Sequence, residues 1–190
     1  MTRKNTSQST NPFAENPTDL DNARHDEQRA VMAQINEVGE SPFLLKNMRA
    51  MASQPILKIG KHWYITTNRW PYDHTALHLL IIHQQDIHDL TQLAPEASQE
   101  LVELAAWICR EFKVSGGGFC MRFGDSNYSA GTVAHLHAQF IVPDLADSEY
   151  ASVRFKIGKR PEQIPDNARQ KNLRDSYLKK IAELSAVNQS

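Results

Sequence analysis

Residues 135–142, His-Leu-His-Ala-Gln-Phe-Ile-Val, constrain the fold more than any other stretch of this chain. Polar and apolar residues alternate from His135 to Phe140, the period-two mark of a β-strand with two unlike faces. His135, His137 and Gln139 share one face, and Leu136, Ala138 and Phe140 share the other. At a rise of ~3.3 Å per residue, neighbours in the polar row stand ~6.6 Å apart, so two imidazoles and an amide line a surface. Pro143-Asp144 closes the strand. Such a strand needs a sheet to join and a helix to bury its apolar face.

The rest of the chain supplies both. Ile56 to Ile59 and His62 to Thr67, joined through Gly60-Lys61, read as a hairpin. Leu77 to His83 has almost no alternation, as expected of a strand buried on both faces. Pro95 to Lys113 is the clearest helix, with Leu101, Leu104, Ala105, Ile108 and Phe112 along one face and Gly116-Gly117-Gly118 as its stop. Phe119 to Phe123 is a further strand, and a polar loop from Gly124 to Thr132 leads into the His135 segment. Strands in succession around one long helix predict an α+β fold, with an antiparallel sheet of about five strands and one main helix.

Around this unit (residues 55–145) the sequence predicts extensions. Residues 1–20, rich in Asn, Ser, Thr and Pro, read as a mobile tail. Residues 21–54 read as an N-terminal helical extension: a helix from Asp21 to Val38 with an Ala23, Ala30, Val31, Ile35, Val38 stripe stopped at Gly39, then a shorter one from Pro42 to Met51. In the C-terminal extension, 146–190, Val153 to Ile157 reads as a short strand and Asn167 to Ala186 as a helix.

A chain of 190 residues suits one domain, and its net charge of −1 gives no field for holding a nucleic acid. Cys109 and Cys120 form neither a CxxC nor a disulfide framework. No stretch is long and apolar enough for a membrane span or a secretory signal, so a cytoplasmic protein with no membrane partner is expected.

Three readings compete for the polar row. The first is a solvent-facing strand without function. The second is a zinc site from His135 and His137 with His78, His83 or Asp125 as third ligand. The third is nucleophilic catalysis by an imidazole oriented by its neighbours. Trp63, Tyr64 and Trp107 read as core or interface, His62, His83 and His88 as surface, and Arg154, Lys156, Lys159 and Arg160 as a solvated face.

His135-Leu136-His137-Ala138-Gln139-Phe140-Ile141 resembles the signature of the histidine triad superfamily, two histidines and a third His or Gln alternating with apolar residues. Asn68-Arg69-Trp70-Pro71-Tyr72 followed by His78 to Ile82 resembles that superfamily's upstream nucleotide-binding segment. The loop from Gly124 to Val133 then enters the signature in the order the superfamily shows. The resemblance implies a triad-like fold and a nucleotidyl hydrolase or transferase that cleaves a phosphoanhydride such as a dinucleoside polyphosphate. His137 would attack the α-phosphorus, with His135 orienting it. Thr132 would meet a phosphate oxygen or the leaving group, Asn68 the ribose or base, and Asp125 a further part of the nucleotide, with His78 buttressing the site. Gln139 stands where many members have a third histidine. It can bond phosphate oxygens but cannot supply a proton, which resembles the transferase and phosphorylase branch. The resemblance further implies a homodimer and no obligatory cofactor, with magnesium only as a companion of the substrate. The rivals are a nucleotide-binding protein without turnover and a metal-dependent hydrolase using the His135–His137 pair.

Overall fold

The computed structural model describes residues 12–52, 54–169 and 172–187. Residues 12–159 form one compact unit, and the described residues from Arg160 onward belong to another. The first unit is built on one antiparallel sheet of five strands in the order β1-β2-β3-β5-β4. These are β1 (Ile56–Ile59), β2 (Trp63–Thr67), β3 (Thr75–His83), β4 (Gly118–Arg122) and β5 (His137–Pro143). The α+β architecture and strand number agree with the sequence reading.

Both faces of the sheet are covered, which explains why β3 lacks alternation. Leu79 and Ile81 pack with Trp63, Ile65, Ala138 and Phe140 against α3 (Pro95–Glu111), through Leu101, Leu104 and Ile108. On the opposite face Leu80, Ile82 and Tyr64 pack under Met48 of α2 (Leu45–Met51), with Phe43 and Leu45 at the margin. Burying a side chain of this size contributes ~1.5–3 kcal/mol, so both layers matter to stability. Trp63 and Tyr64 are core residues, as their sequence context predicts, and their polar ends are satisfied: Trp63 Nε1 donates to Ala97 O at 2.7 Å and Tyr64 Oη to Phe43 O at 2.6 Å. The approach of the Gly116–Gly118 run to β5 is closest at Gly117, where a Cβ would stand 2.4 Å from the Ile141 carbonyl oxygen.

Several expectations are corrected. The tail predicted over 1–20 is ordered where it is described: residues 12–20 include buried Phe13, Thr18 and Asp19, and Thr18 bridges Val133. Residues 1–11 lie outside the described residues. The first helix, α1 (Asp26–Val38), starts later than predicted, because Asp19 instead caps a short 3-10 turn over Leu20–Asn22. It stops at Gly39, whose φ of 73° is left-handed. Its buried face is Gln28 and Met32, while Val38 is exposed. The main helix ends at Glu111, before its glycines, and Phe112 is exposed. Val153 to Ile157 forms no strand: Lys156 O accepts from the Arg122 side chain instead of from a ladder. In the second unit the helix α4, following the chain's short helical turn at Ser126–Ser129, runs over Leu173–Val187. Among the described residues no helix is long and apolar enough to cross a membrane.

Candidate active site

The ladder of β5 opens at His137, which faces Ile82 of β3 on one side and Arg122 of β4 on the other. Its Nδ1 lies 2.8 Å from the backbone oxygen of His135. A carbonyl can only accept, so Nδ1 carries the hydrogen and the lone pair sits on Nε2. Burial, followed in effect by the nearby Arg122, His135 and His78, pushes the His137 pKa down to about 4, against the bond to His135. The ring is therefore neutral at pH 7, the state a nucleophile requires.

His135 lies just ahead of the ladder and is held at both nitrogens. Nε2 donates to the carbonyl of His83, while Nδ1 is 2.8 Å from Ser41 Oγ and 3.3 Å from Asp86 Oδ1. The contact with His135 is the largest reason the Asp86 carboxyl sits below its usual range. The polar row does not line an open surface as its alternation suggests. His135, His137 and Gln139 are only 1%, 7% and 5% exposed, with Ser41 and Phe43 set against the two histidines and His78 against Gln139. The Phe43 ring stands edge-on to His137 with centroids 5.0 Å apart.

His78 connects the upstream segment to the strand. The Tyr72 backbone N–H donates to its Nδ1 at 3.1 Å, leaving the hydrogen of the neutral ring on Nε2, which lies 3.1 Å from Gln139 Oε1. Desolvation lowers the His78 pKa to about 4 despite the Gln139 bond, which keeps that tautomer neutral. With its oxygen occupied, Gln139 keeps its amide N–H groups to offer a ligand. The Asn68 amide nitrogen also stands 3.1 Å from His78 Nε2, and its oxygen accepts from Trp70 N at 3.0 Å. Because Nδ1 already takes the backbone donor, the ring has no second lone pair for Asn68, whose amide hydrogens remain available.

Asp125 and Thr132 sit apart from this bonded group. Asp125 caps the Ser126–Ser129 turn, accepting from Asn127 N at 2.8 Å. The Thr132 carbonyl accepts from Asp19 N at 3.0 Å. The loop between them is pinned by a buried cluster in which the Asp19 carboxylate meets Lys159 Nζ at 2.7 Å and Ser126 Oγ at 2.6 Å. Two surface expectations fail here. Lys159 belongs to this cluster, not to a solvated face, and His83 is buried with its ring edge-on to Trp63. Among the described residues, no three His, Cys, Asp or Glu side chains converge as a metal-ligand group.

Sequence reasoning missed Ser41, Phe43, Asp86, Arg122 as the partner of His137, and the Asp19–Lys159 pair. Arg122 was recoverable from strand register alone. The others lie on segments whose docking leaves no periodic signal.

Residues 73–144, from the β2–β3 loop to the end of β5, match the model of the HIT domain. No curated protein matches the chain. Among solved structures, a zinc-bound histidine triad family protein from Mycobacterium smegmatis is 20% identical, covers 56% of this chain and 78% of its own, with a TM-score of 0.41. A HIT family hydrolase from Clostridium thermocellum is 18% identical over 56% of this chain and 93% of its own, with a TM-score of 0.42. A Hit-like protein involved in cell-cycle regulation from Bartonella henselae is 18% identical over 68% and 93%, with a TM-score of 0.45. Residues 73–144, which contain His78, His135, His137 and Gln139, are thus a domain of the histidine triad superfamily.

Proposed function

We propose that the protein is a nucleotidyl hydrolase or transferase that cleaves a nucleotide phosphoanhydride, such as a dinucleoside polyphosphate, through a covalent nucleotidyl-His137 intermediate. The observation that carries this reading is the bond from His137 Nδ1 to the His135 carbonyl, which commits the lone pair of a neutral, buried imidazole to Nε2. In the first step that pair forms the N–P bond, the P–O bond breaks, and the leaving oxygen takes its electrons. The positive charge on the imidazole is shared with the His135 carbonyl through Nδ1–H. In the second step an acceptor oxygen attacks phosphorus and the N–P electrons return to Nε2. The free N–H groups of Gln139 and the Thr132 hydroxyl are suited to phosphate oxygens, and Asn68 to the nucleoside. Asp125, whose carboxylate caps a turn, is assigned at most a ribose contact.

This mechanism needs no resident metal, and magnesium enters only as a companion of the substrate. The donor set lends no support to a zinc site on His135 and His137. The working form in this reading is a cytoplasmic homodimer acting on a free nucleotide, with no nucleic acid or membrane partner.

The test is incubation with diadenosine tetraphosphate, an alkaline quench that spares phosphoimidazoles, and intact mass measurement beside His137→Ala. An added nucleotidyl mass that vanishes in the variant is expected. A phosphate chase against a water chase then separates phosphorylase from hydrolase. Nucleotide binding without adduct or substrate loss would overturn the enzyme reading in favour of a binding protein.

A further inference from the structure

Two guanidinium groups stand beside the site without an ion pair among the described residues, Arg122 across from His137 and Arg24 over Tyr72 near His78. Arg122 lies directly across the ladder from His137, a pairing that sets Cβ atoms about 5 Å apart on the same face. Its Nε and Nη2 both donate to the single carbonyl of Lys156, at 3.0 and 2.7 Å, and its Cζ lies 3.8 Å from the Phe155 ring centre. Arg24 donates to the carbonyls of Trp70 and Pro71 and lies 4.6 Å over the Tyr72 ring. Tyr72 and Phe155 are 6.3 Å apart at 81°, and Tyr72 is 4.8 Å from the His78 ring. Arg24, Tyr72, Phe155 and Arg122 thus form one row. It meets the candidate active site at His78 and again at the Arg122–His137 pair.

The charge in this row is unbalanced. Neither arginine makes an ion pair among the described residues. The field of Arg122 reaches Arg24, His78 and His137, and the carboxylate felt at Arg24 is that of Asp73, an exposed loop residue. Carbonyls satisfy some of the N–H groups but not the charge. Two cations that repel one another, each with donors to spare, suit an anion bridging them.

The chemistry of the strand says which anion. Gln139 has no proton to give, and the Nε2 hydrogen of His78 is directed at Gln139. An amine or alkoxide expelled from phosphorus needs a proton as it departs. A phosphate expelled from an anhydride does not: its second pKa is about 6, and it leaves as an anion whose growing charge needs cations. We infer that Arg24 and Arg122 receive the departing phosphate chain, so the site selects nucleotides whose leaving group is a polyphosphate over those whose leaving group is an amine or an alcohol. The inference rests on the proposed attack by His137. The P–O electrons stay on the leaving oxygen, and no proton is transferred.

The competing role for these arginines is to tie the N-terminal arm and the 151–157 segment to the sheet. Arg24→Gln and Arg122→Gln, which keep hydrogen-bonding amides while removing charge, separate the two roles in the full-length protein. Activity is compared on two substrates sharing one adenylyl group: diadenosine tetraphosphate and the p-nitrophenyl ester of adenosine 5′-monophosphate, whose leaving group needs neither proton nor cations. Losing a charge-assisted bond is worth about ten- to a hundredfold, so kcat/KM on the tetraphosphate should fall by that factor. The nitrophenyl ester should fall by a clearly smaller factor than the tetraphosphate, because its leaving group never engages the bond. Inorganic tripolyphosphate should inhibit the unmodified protein and lose its effect in the variants. Equal losses on both substrates, or none on either, would overturn the inference while leaving the His137 adduct intact. Absence of an adduct from the nitrophenyl ester in the unmodified protein would overturn the underlying function, and this inference with it. Arg24 is exposed, so its variant keeps the test open should Arg122→Gln not fold.

Discussion

The carboxylate of Asp19 meets the ammonium of Lys159 at 2.7 Å, with both side chains almost wholly buried. The pair is asymmetric. Asp19 also accepts from Ser126 Oγ, Asp21 N and Asn22 Nδ2, whereas the remaining carboxylate near Lys159 is that of Asp21, at 3.6 Å. Removing one member of a buried pair costs about 3–5 kcal/mol when the survivor is stranded, and less when it keeps other donors. Asp19→Ala should therefore cost about 3–5 kcal/mol in urea unfolding, and Lys159→Met about 1–3 kcal/mol. Equal costs, or the reverse order, would show that the carboxylate does not organise this cluster.

Gln139 accepts the Nε2 hydrogen of buried His78 at 3.1 Å, so Gln139→Leu leaves a buried donor without its acceptor. The desolvation penalty predicts a loss of about 1–3 kcal/mol. Gln139→Glu keeps an acceptor and adds a charge beside His78, raising its pKa from about 4. NMR titration of the His78 ring checks this directly. An unchanged titration in the Glu variant would mean that the bond is not formed.

The strands and the functional row were legible because each rests on local periodicity: alternation in 135–140 and the uninterrupted apolar run of β3. What could not be read was docking. Phe43 reaches His137 from a segment that is neither strand nor regular helix, and Asp19 reaches Lys159 across most of the chain. Burial of the polar row followed from the same blind spot, since period two tells which residues share a face but not what lies over it. The 12–20 segment looked unstructured because its composition is polar. Its order comes from specific bonds, Thr18 Oγ1 to Asn36 Oδ1 and Asp19 N to Thr132 O, that composition does not encode.

Phe43 is the edge-on cover of His137, and burial is the largest cause of that ring's depressed pKa. Phe43→Ala admits water and should bring the pKa back toward the ordinary value near 6.5. Attack requires the neutral ring, so the acid limb of kcat/KM, expected near pH 4 with Phe43 in place, should move upward. At pH 5 the variant loses activity relative to the parent; at pH 8 the two differ only by any loss of positioning. A limb that stays in place would mean Phe43 does not desolvate the nucleophile.

His78 and His137 also fix how stability depends on pH. Both are almost fully buried, and both have folded-state pKa values of about 4. In the unfolded chain each titrates near 6.5. Above that value neither state binds the proton, and the stability of the neutral buried rings is fully present. As pH falls from about 6.5 to about 4, the unfolded chain takes up protons that the folded chain refuses, so stability declines by about 1.4 kcal/mol per pH unit for each ring. Below about 4 both states are protonated and the loss levels off. Between pH 7 and pH 5 each ring thus removes about 2 kcal/mol, and the depressed His83 acts in the same direction. His137→Asn takes one titrating ring out of the balance. Urea unfolding at both pH values should show the parent losing about 2 kcal/mol more than this variant over the interval. Parallel losses would mean that His137 takes up its proton in the folded protein as readily as in the unfolded chain, and that its neutrality at the site is not enforced by burial.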